Sequence, residues 1–421
     1  MKIFRNIYHR WIPIFADWRY GQPGKKMIVI GVTGTKGKST TCRFIASVLQ
    51  AGGHKVGLMS TVEFQIGDKR WLNDKKMSML GKGQTQKMMK EMVDAGCEYA
   101  VIETSSEGIM QSRHQGVHYD IVVFTNLGTE HSERHGGFEN LKRDKGKLFD
   151  SLKNESNKII KGKKIDKISV VNADDPNAAY FDGFPADKKS HYSIKGKTII
   201  SNVQGTDFVV AGKKYHLNLL GEFNVPNALA AICVARSQGV SDEKIAAGLA
   251  SVKKLEGRME FINEGQNFKV VVDYAHEPLS YTELFKALRK LLPSPGNKVI
   301  GVIGSDGGGR DIGKREKMGN IAGQLCDFVV VTDVNCFDED PKQIAEMLAV
   351  GARKAGKKDN QNLFIVVDRR EGIKKAFQLA GPGDIVAITA KGTEPVLCVA
   401  KGVRIPWDDR SVARDLLKTG R

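Results

Sequence analysis

Seven consecutive residues, Gly34-Thr35-Lys36-Gly37-Lys38-Ser39-Thr40, have the types and spacing to hold a nucleotide phosphate. Glycines let backbone N–H groups turn inward onto an anion, a lysine reaches the β and γ phosphates, and a hydroxyl holds magnesium. Gly34 and Gly37, Lys38 and Ser39 meet those three needs, with Thr35, Lys36 and Thr40 completing the turn. The spacing departs from the strict GxxxxGK(S/T) pattern, because the upstream glycines are Gly31 and Gly34 and position 32 is valine. The flanks outweigh the departure. MIVIGV before the turn reads as a buried strand, and TCRFIASVLQAGG after it as an amphipathic helix closed by glycine. Six cysteines are scattered singly without a CxxC pair, which argues for reduced thiols and against a cysteine-built metal site.

A phosphate loop needs a sheet behind it, and the chain supplies one. The runs YAVIET (99–104), IVVFTNL (121–127) and ISVVNAD (168–174) end in polar residues and are mostly separated by stretches long enough for crossover helices. That alternation predicts a parallel α/β sheet with ligands at the carboxyl ends of its strands. Short alternating segments between Lys188 and Leu220 read as an antiparallel flap. Helical patterns follow, the second with Ser241 as N-cap. A second strand series begins after Gly257: KVVVDYA, KVIGVIG, FVVVTDV, LFIVVD and DIVAITA. The expected architecture is α/β, with an N-terminal amphipathic segment (1–25), a central P-loop ATPase domain with a mostly parallel sheet (26–256), and a C-terminal Rossmann-like α/β domain (257–421). A 41% hydrophobic and 27% charged composition excludes a fibrous or largely disordered chain. No run is long and apolar enough to span a membrane, so a cytoplasmic location is expected. In the N-terminal segment, Ile3, Phe4, Ile7, Tyr8, Trp11 and Phe15 recur at helical spacing among Lys2, Arg5, Arg10 and Arg19, with Pro13 as a kink point. Aromatic and basic residues together make residues 1–20 a candidate peripheral membrane contact. The net charge of +17 favours anionic partners, but no nucleic-acid-binding motif accompanies it, so small-molecule substrates are expected and nucleic acid is not.

GVTGTKGKSTT resembles the phosphate loop of the Mur ligase family, ATP-dependent amide-forming enzymes of peptidoglycan precursor synthesis. Further segments match in order: IETSSEG, FTNLGTEHSERHG, KRDKGKLF, VNADDP, GEFNVPNALAA, LEGRME, DYAHEP, AKGTE and DDRSVA. The likeness runs from about residue 27 to 417 and is closest to the branch of UDP-N-acetylmuramoyl-tripeptide synthetases. It implies an ADP-forming acid–amino-acid ligase in which Lys38 and Arg258 supply fixed positive charge, while Ser39 and Glu103 hold a magnesium ion. It further implies a second magnesium on His131 and a carbamylated Lys145. Asn224 and Asn227, with Asp273 and Tyr274, would contact adenine and ribose of ATP across the domain junction, with Arg258 at the hinge. Ser105, Ser106 and Arg113 would face the peptide acceptor, Arg113 being suited to a carboxylate.

Two departures bear on substrates. Members of this branch carry a UDP-gripping domain before the phosphate loop, where this chain has only the segment before Gly31. UDP recognition is therefore not implied, and the N-terminal segment is read as its replacement or as serving a lipid-linked or otherwise different acceptor. Where diaminopimelate-adding enzymes read DNPR, this chain reads Val334-Asn335-Cys336-Phe337, losing the arginine that would clamp a distal carboxylate. Asn335, Arg310 and Glu394 remain as amino-acid ligands, with lysine or a smaller or apolar residue at least as plausible as diaminopimelate. The expected function is ligation of an amino acid to a muramoyl-peptide-like carboxylate through an acyl phosphate. The alternatives are a related amide ligase acting on a folate or poly-amino-acid acceptor, and a non-catalytic nucleotide-binding subunit.

Overall fold

An unbroken apolar run suits a strand covered on both faces, and Ile28–Thr33 (β1) is such a strand, buried from Val29 onward. The computed structural model describes residues 2–419 apart from 76, 82, 129–131, 154, 203 and 310–311, without the side chains of 2–10, 132 and 134. It forms two compact units, residues 1–253 and 254–421.

In the first unit β1 is joined by Val56–Met59 (β2), Glu63–Ile66 (β3), Lys69–Leu72 (β4), Tyr99–Glu103 (β5), Ile121–Phe124 (β6), Ile168–Asn172 (β7) and Lys188–Tyr192 (β8). These described strands make one sheet in the order β8-β7-β6-β1-β5-β2-β3-β4. Six of them are parallel, and β3 and β4 turn back antiparallel at one edge. Side chains of β1 alternate between two apolar layers. Ile30 and Val32 pack with the helices Lys38–Ala51 (α2) and Asn224–Ser237, whereas Val29 packs with Leu141, Leu148 and Phe149 on the other face.

The antiparallel flap is smaller than the sequence predicts. Its first segment, HYSI, does not belong to it: Lys188–Tyr192 pairs in parallel with β7 as the sheet's edge strand, carried there by the buried Tyr192. Only Ile199–Asn202, Gly205–Val210 and Lys213–Leu217 form the antiparallel three-stranded sheet. Ser241 caps the helix Asp242–Ser251 by accepting from the Lys244 N–H.

The second unit has its own six-stranded sheet. Its strands are Glu260–Ile262 (β9), Lys269–Val272 (β10), Val299–Ile303 (β11), Phe328–Val331 (β12), Leu363–Ile365 (β13) and Ile385–Ile388 (β14). Their order is β9-β10-β14-β11-β12-β13, with all pairs parallel except β9–β10. Both α/β units therefore place loop residues at the carboxyl ends of parallel strands, where such folds bind ligands.

Candidate active site

The phosphate loop leaves β1 and enters α2 through two residues that only glycine accommodates. At Gly34 (φ +149°) a Cβ would lie 1.9 Å from Thr125 Oγ1, and at Gly37 (φ +78°) it would lie 2.1 Å from Asn227 Oδ1. Both positions have left-handed backbone and no room for a side chain. The loop end of β6 braces the turn from behind. Asn126 Oδ1 accepts from the Lys36 N–H at 2.9 Å, its carbonyl accepts from the Thr35 N–H at 2.8 Å, and Thr125 Oγ1 donates to the Lys36 carbonyl at 2.7 Å. Thr125 and Asn126 were not singled out by sequence, although both stand in the quoted FTNL segment. Their chemistry is ordinary for a strand end until the fold sets it beside the loop.

Parallel register brings Glu103, at the end of β5, opposite Val32 of β1. Its carboxylate is only 2% exposed and sits among hydroxyls and one N–H. Ser39 Oγ donates to Oε2 at 2.7 Å, the Thr61 N–H donates to the same oxygen at 2.8 Å, and Thr61 Oγ1 lies 2.7 Å from Oε1. Thr61 Oγ1 also lies 2.8 Å from Ser78 Oγ. Thr61 is a residue that sequence reasoning missed, since a threonine after a short strand carries no motif of its own. The Ser39 hydroxyl and the Glu103 carboxylate are hard oxygen donors side by side at the mouth of a phosphate loop, a set that fits magnesium.

Lys145 reaches the same turn from the opposite side. On helix Phe138–Asp150 (α3) it is 3% exposed, and its Nζ donates to the Gly34 carbonyl at 2.8 Å. Lys38 Nζ donates to the Thr35 carbonyl at 2.9 Å. Asn227 Oδ1 accepts from Thr41 Oγ1 at 3.2 Å, which seats the start of its helix against α2, and Asn224 is buried one turn away. Lys38, Ser39, Glu103, Lys145 and Asn227 thus converge on one loop. His131 lies outside the described residues.

Ser105 caps the short helix Ser106–Met110 by accepting from the Gly108 N–H at 3.2 Å, and Ser106 is half-buried behind it. Arg113 donates to the Met79 carbonyl at 2.6 Å, and burial pulls its guanidinium below the usual arginine value while Glu107 opposes that shift. Arg113 and the Ser105 turn therefore meet at Met79: a Cβ at Gly108 would lie 2.9 Å from the Met79 sulfur and 3.2 Å from Ser105 Oγ.

The second unit gathers two further groups. The Arg258 guanidinium lies 4.5 Å from the centre of the Tyr274 ring, while Asp273 accepts from the Met259 and Ala275 N–H groups at 2.7 and 2.6 Å. Asn335 is buried in the loop after β12, where its amide donates to Asp306 at 2.8 Å and to Glu394 at 3.1 Å. Lys391, also missed by sequence, donates to both Asn335 and Glu394, at 3.1 and 3.0 Å. Arg310 lies outside the described residues.

Comparison with known proteins gives two family matches, a Mur ligase middle domain over residues 32–235 and a Mur ligase glutamate ligase domain over 257–392. The UDP-N-acetylmuramyl-tripeptide synthetase of Roseiflexus sp. (strain RS-1) is 40% identical over 412 residues, covering 94% of this chain and 80% of that protein. The UDP-N-acetylmuramoyl-L-alanyl-D-glutamate–2,6-diaminopimelate ligase of Geobacillus kaustophilus is 36% identical over 423 residues, covering 97% of this chain and 82% of its own. The solved structure of Mycobacterium tuberculosis folylpolyglutamate synthase aligns with a TM-score of 0.68 over 96% of this chain and 94% of its own. At 16% identity that likeness shows the fold alone.

Proposed function

The chain belongs to the Mur ligase family, and on that premise we propose that it is an ATP- and magnesium-dependent, ADP-forming ligase that adds an amino acid to the carboxylate of a muramoyl-peptide-like cell-wall precursor. The observation that carries the reading is the convergence of Ser39, Glu103, Lys38 and Lys145 on one glycine turn. A carboxylate does not condense with an amine in neutral water, so one oxygen must first be made a leaving group. In this reading an acceptor carboxylate oxygen attacks the γ-phosphorus, the bond to the bridging oxygen breaks, and ADP leaves. The amine nitrogen then attacks the acyl carbon, phosphate departs with the bonding pair, and the nitrogen gives up a proton.

The chain's own task is to position and neutralise charge. The backbone N–H groups of the turn and Lys38 hold the phosphates, and Asn224 and Asn227 take the nucleoside end. Arg258, Asp273 and Tyr274 keep their roles in nucleotide binding as part of the same proposal. Ser39 and Glu103 would hold one magnesium, and His131 with a carbamylated Lys145 a second. Bound there, the ions supply charge neutralisation on the phosphates. The carbamate would form by addition of carbon dioxide to the neutral amine of Lys145, which releases a proton. Ser105, Ser106 and Arg113 face the acceptor, and Asn335, Arg310 and Glu394 the incoming amino acid. Substrates are small molecules, the location is the cytoplasm, and residues 1–20 make a peripheral membrane contact.

The test is a product screen. Purified protein with ATP, magnesium, each amino acid and muramoyl-peptide or folate acceptors should release phosphate only when acceptor and amine are both present, with the amide product seen by mass spectrometry. ATP binding without such turnover would overturn the ligase reading.

A further inference from the structure

Helix Lys2–Arg19 (α1) wears its apolar stripe on the outside. Trp11, Phe15 and Trp18 are 61%, 59% and 72% exposed, with Ile14 between them, so positions 11, 14, 15 and 18 line one face at helical spacing. The inward face is Pro13, Ala16 and Asp17. It is clamped by two close approaches: a Cβ at Gly83 would lie 2.7 Å from the Ala16 Cβ, and one at Gly116 would lie 2.7 Å from the Asp17 Cβ. The aromatic face therefore cannot be a core face left loose, because the core contact is made on the other side.

Charge selects what covers it. Residues 1–26 hold six lysines and arginines (Lys2, Arg5, Arg10, Arg19, Lys25, Lys26) and a single acid, Asp17. That acid is buried and paired with His118 Nε2 at 2.8 Å, while Arg19, Lys25 and Lys26 are exposed, so the outward charge among the described side chains is positive. Two copies meeting through this face would oppose like charges, whereas an anionic surface would meet both the cations and the aromatic stripe. No helix among the described residues is long and apolar enough to cross a membrane. An open hollow of about 430 Å³, lined by Trp11, Phe15, Arg19, Tyr20 and Gly83, lies beside the stripe.

We propose that α1 docks flat on an anionic lipid bilayer, with Trp11, Phe15 and Trp18 at the boundary between headgroups and acyl chains and Arg19, Lys25 and Lys26 on the headgroups. This deepens the membrane contact read for residues 1–20 and is independent of the ligase chemistry. It places the enzyme at the membrane surface, where a lipid-linked acceptor would be met.

The experiment is co-sedimentation of the full chain, without substrates, with phosphatidylglycerol-containing and with pure phosphatidylcholine vesicles, followed also by tryptophan emission. Binding to the anionic vesicles alone, with a blue shift and weakening by salt, is expected. The variant Trp11→Ser/Trp18→Ser should lose binding while its circular dichroism and thermal melting stay unchanged. Arg19→Gln, Lys25→Gln and Lys26→Gln should each weaken anionic binding by about fivefold. Absence of partition, equal binding by the double tryptophan variant, or concentration-dependent self-association abolished by that variant would overturn the proposal, the last in favour of a second copy. Because no turnover is measured with the vesicles, such a failure leaves the ligase reading standing.

Discussion

Lys145 shows how far a single residue can be read from its neighbours. Among Lys142, Arg143 and Lys147 it looks like one more solvated cation, and only the matched family frame singles it out. The fold gives the physical reason: Leu141, Lys145, Leu148 and Phe149 share the inward face of α3, which carries the amine to the Gly34 carbonyl. Glu103 was legible because a glutamate ending an apolar strand sits where ligands bind. Thr61 was not, because its meaning lies in a 2.7 Å contact that no spacing announces. At this scale Lys38→Ala and Glu103→Ala should each lower kcat at least about a hundredfold with the fold retained, measured as phosphate release and circular dichroism. A near-normal rate in either variant would show that the phosphate assignment is wrong. Thr61→Val should lower kcat and raise the magnesium concentration needed for half-maximal rate several-fold, since Glu103 loses a hydroxyl that holds its carboxylate in place. Thr61→Ser should restore both, and a valine variant with an unchanged magnesium requirement would make Thr61 merely structural.

Elements were more legible than residues, because periodicity integrates over many positions. The strand, turn and helix around Gly34 are where the apolar run and the glycines predict them. The misread segment is Lys188–Tyr192, whose mixed pattern looks like a hairpin strand. It is an edge strand with one buried tyrosine, and edge position is set by sheet order rather than by local sequence. The loop itself makes a sharp prediction. Gly34→Ala would force a Cβ onto Thr125 Oγ1 in a left-handed conformation, so nucleotide binding by equilibrium dialysis should fall severely while the strand core survives. The seat of α1 gives a second one. His118 is held between Asp17 and Glu155 at 2.8 Å each. Burial alone would lower its pKa from 6.5, but the hydrogen bonds it donates to the two carboxylates overcome that and raise it to about 9. The fold thus prefers the imidazolium. Its stabilisation is full below about pH 6.5 and drains away as pH rises through about 9. Thermal melting should show the wild type losing stability between those pH values, and His118→Asn should flatten that slope.

The whole molecule divides into two α/β units because the chain holds two separate series of apolar runs, each long enough to close its own sheet. That much is written in composition and order. The chemistry within the second unit was only half written: Asn335 and Glu394 could be named from aligned motifs, but the ammonium of Lys391 joining them emerges only when β12 and the loop after β14 come together. Nucleotide binding should register on the stability of the entire chain by mass action. A non-hydrolysable ATP analogue with magnesium, at about a hundred times its Kd, adds roughly 2.7 kcal/mol to whatever folded unit it grips. For a unit of 253 residues that raises Tm by about 5 °C or more. Chelating the magnesium should return most of the shift if Ser39 and Glu103 hold the cation that would neutralise the phosphates. Lys38→Ala should show little shift at the same analogue concentration. A full shift in that variant, or one indifferent to chelation, would place the triphosphate somewhere other than the turn between β1 and α2.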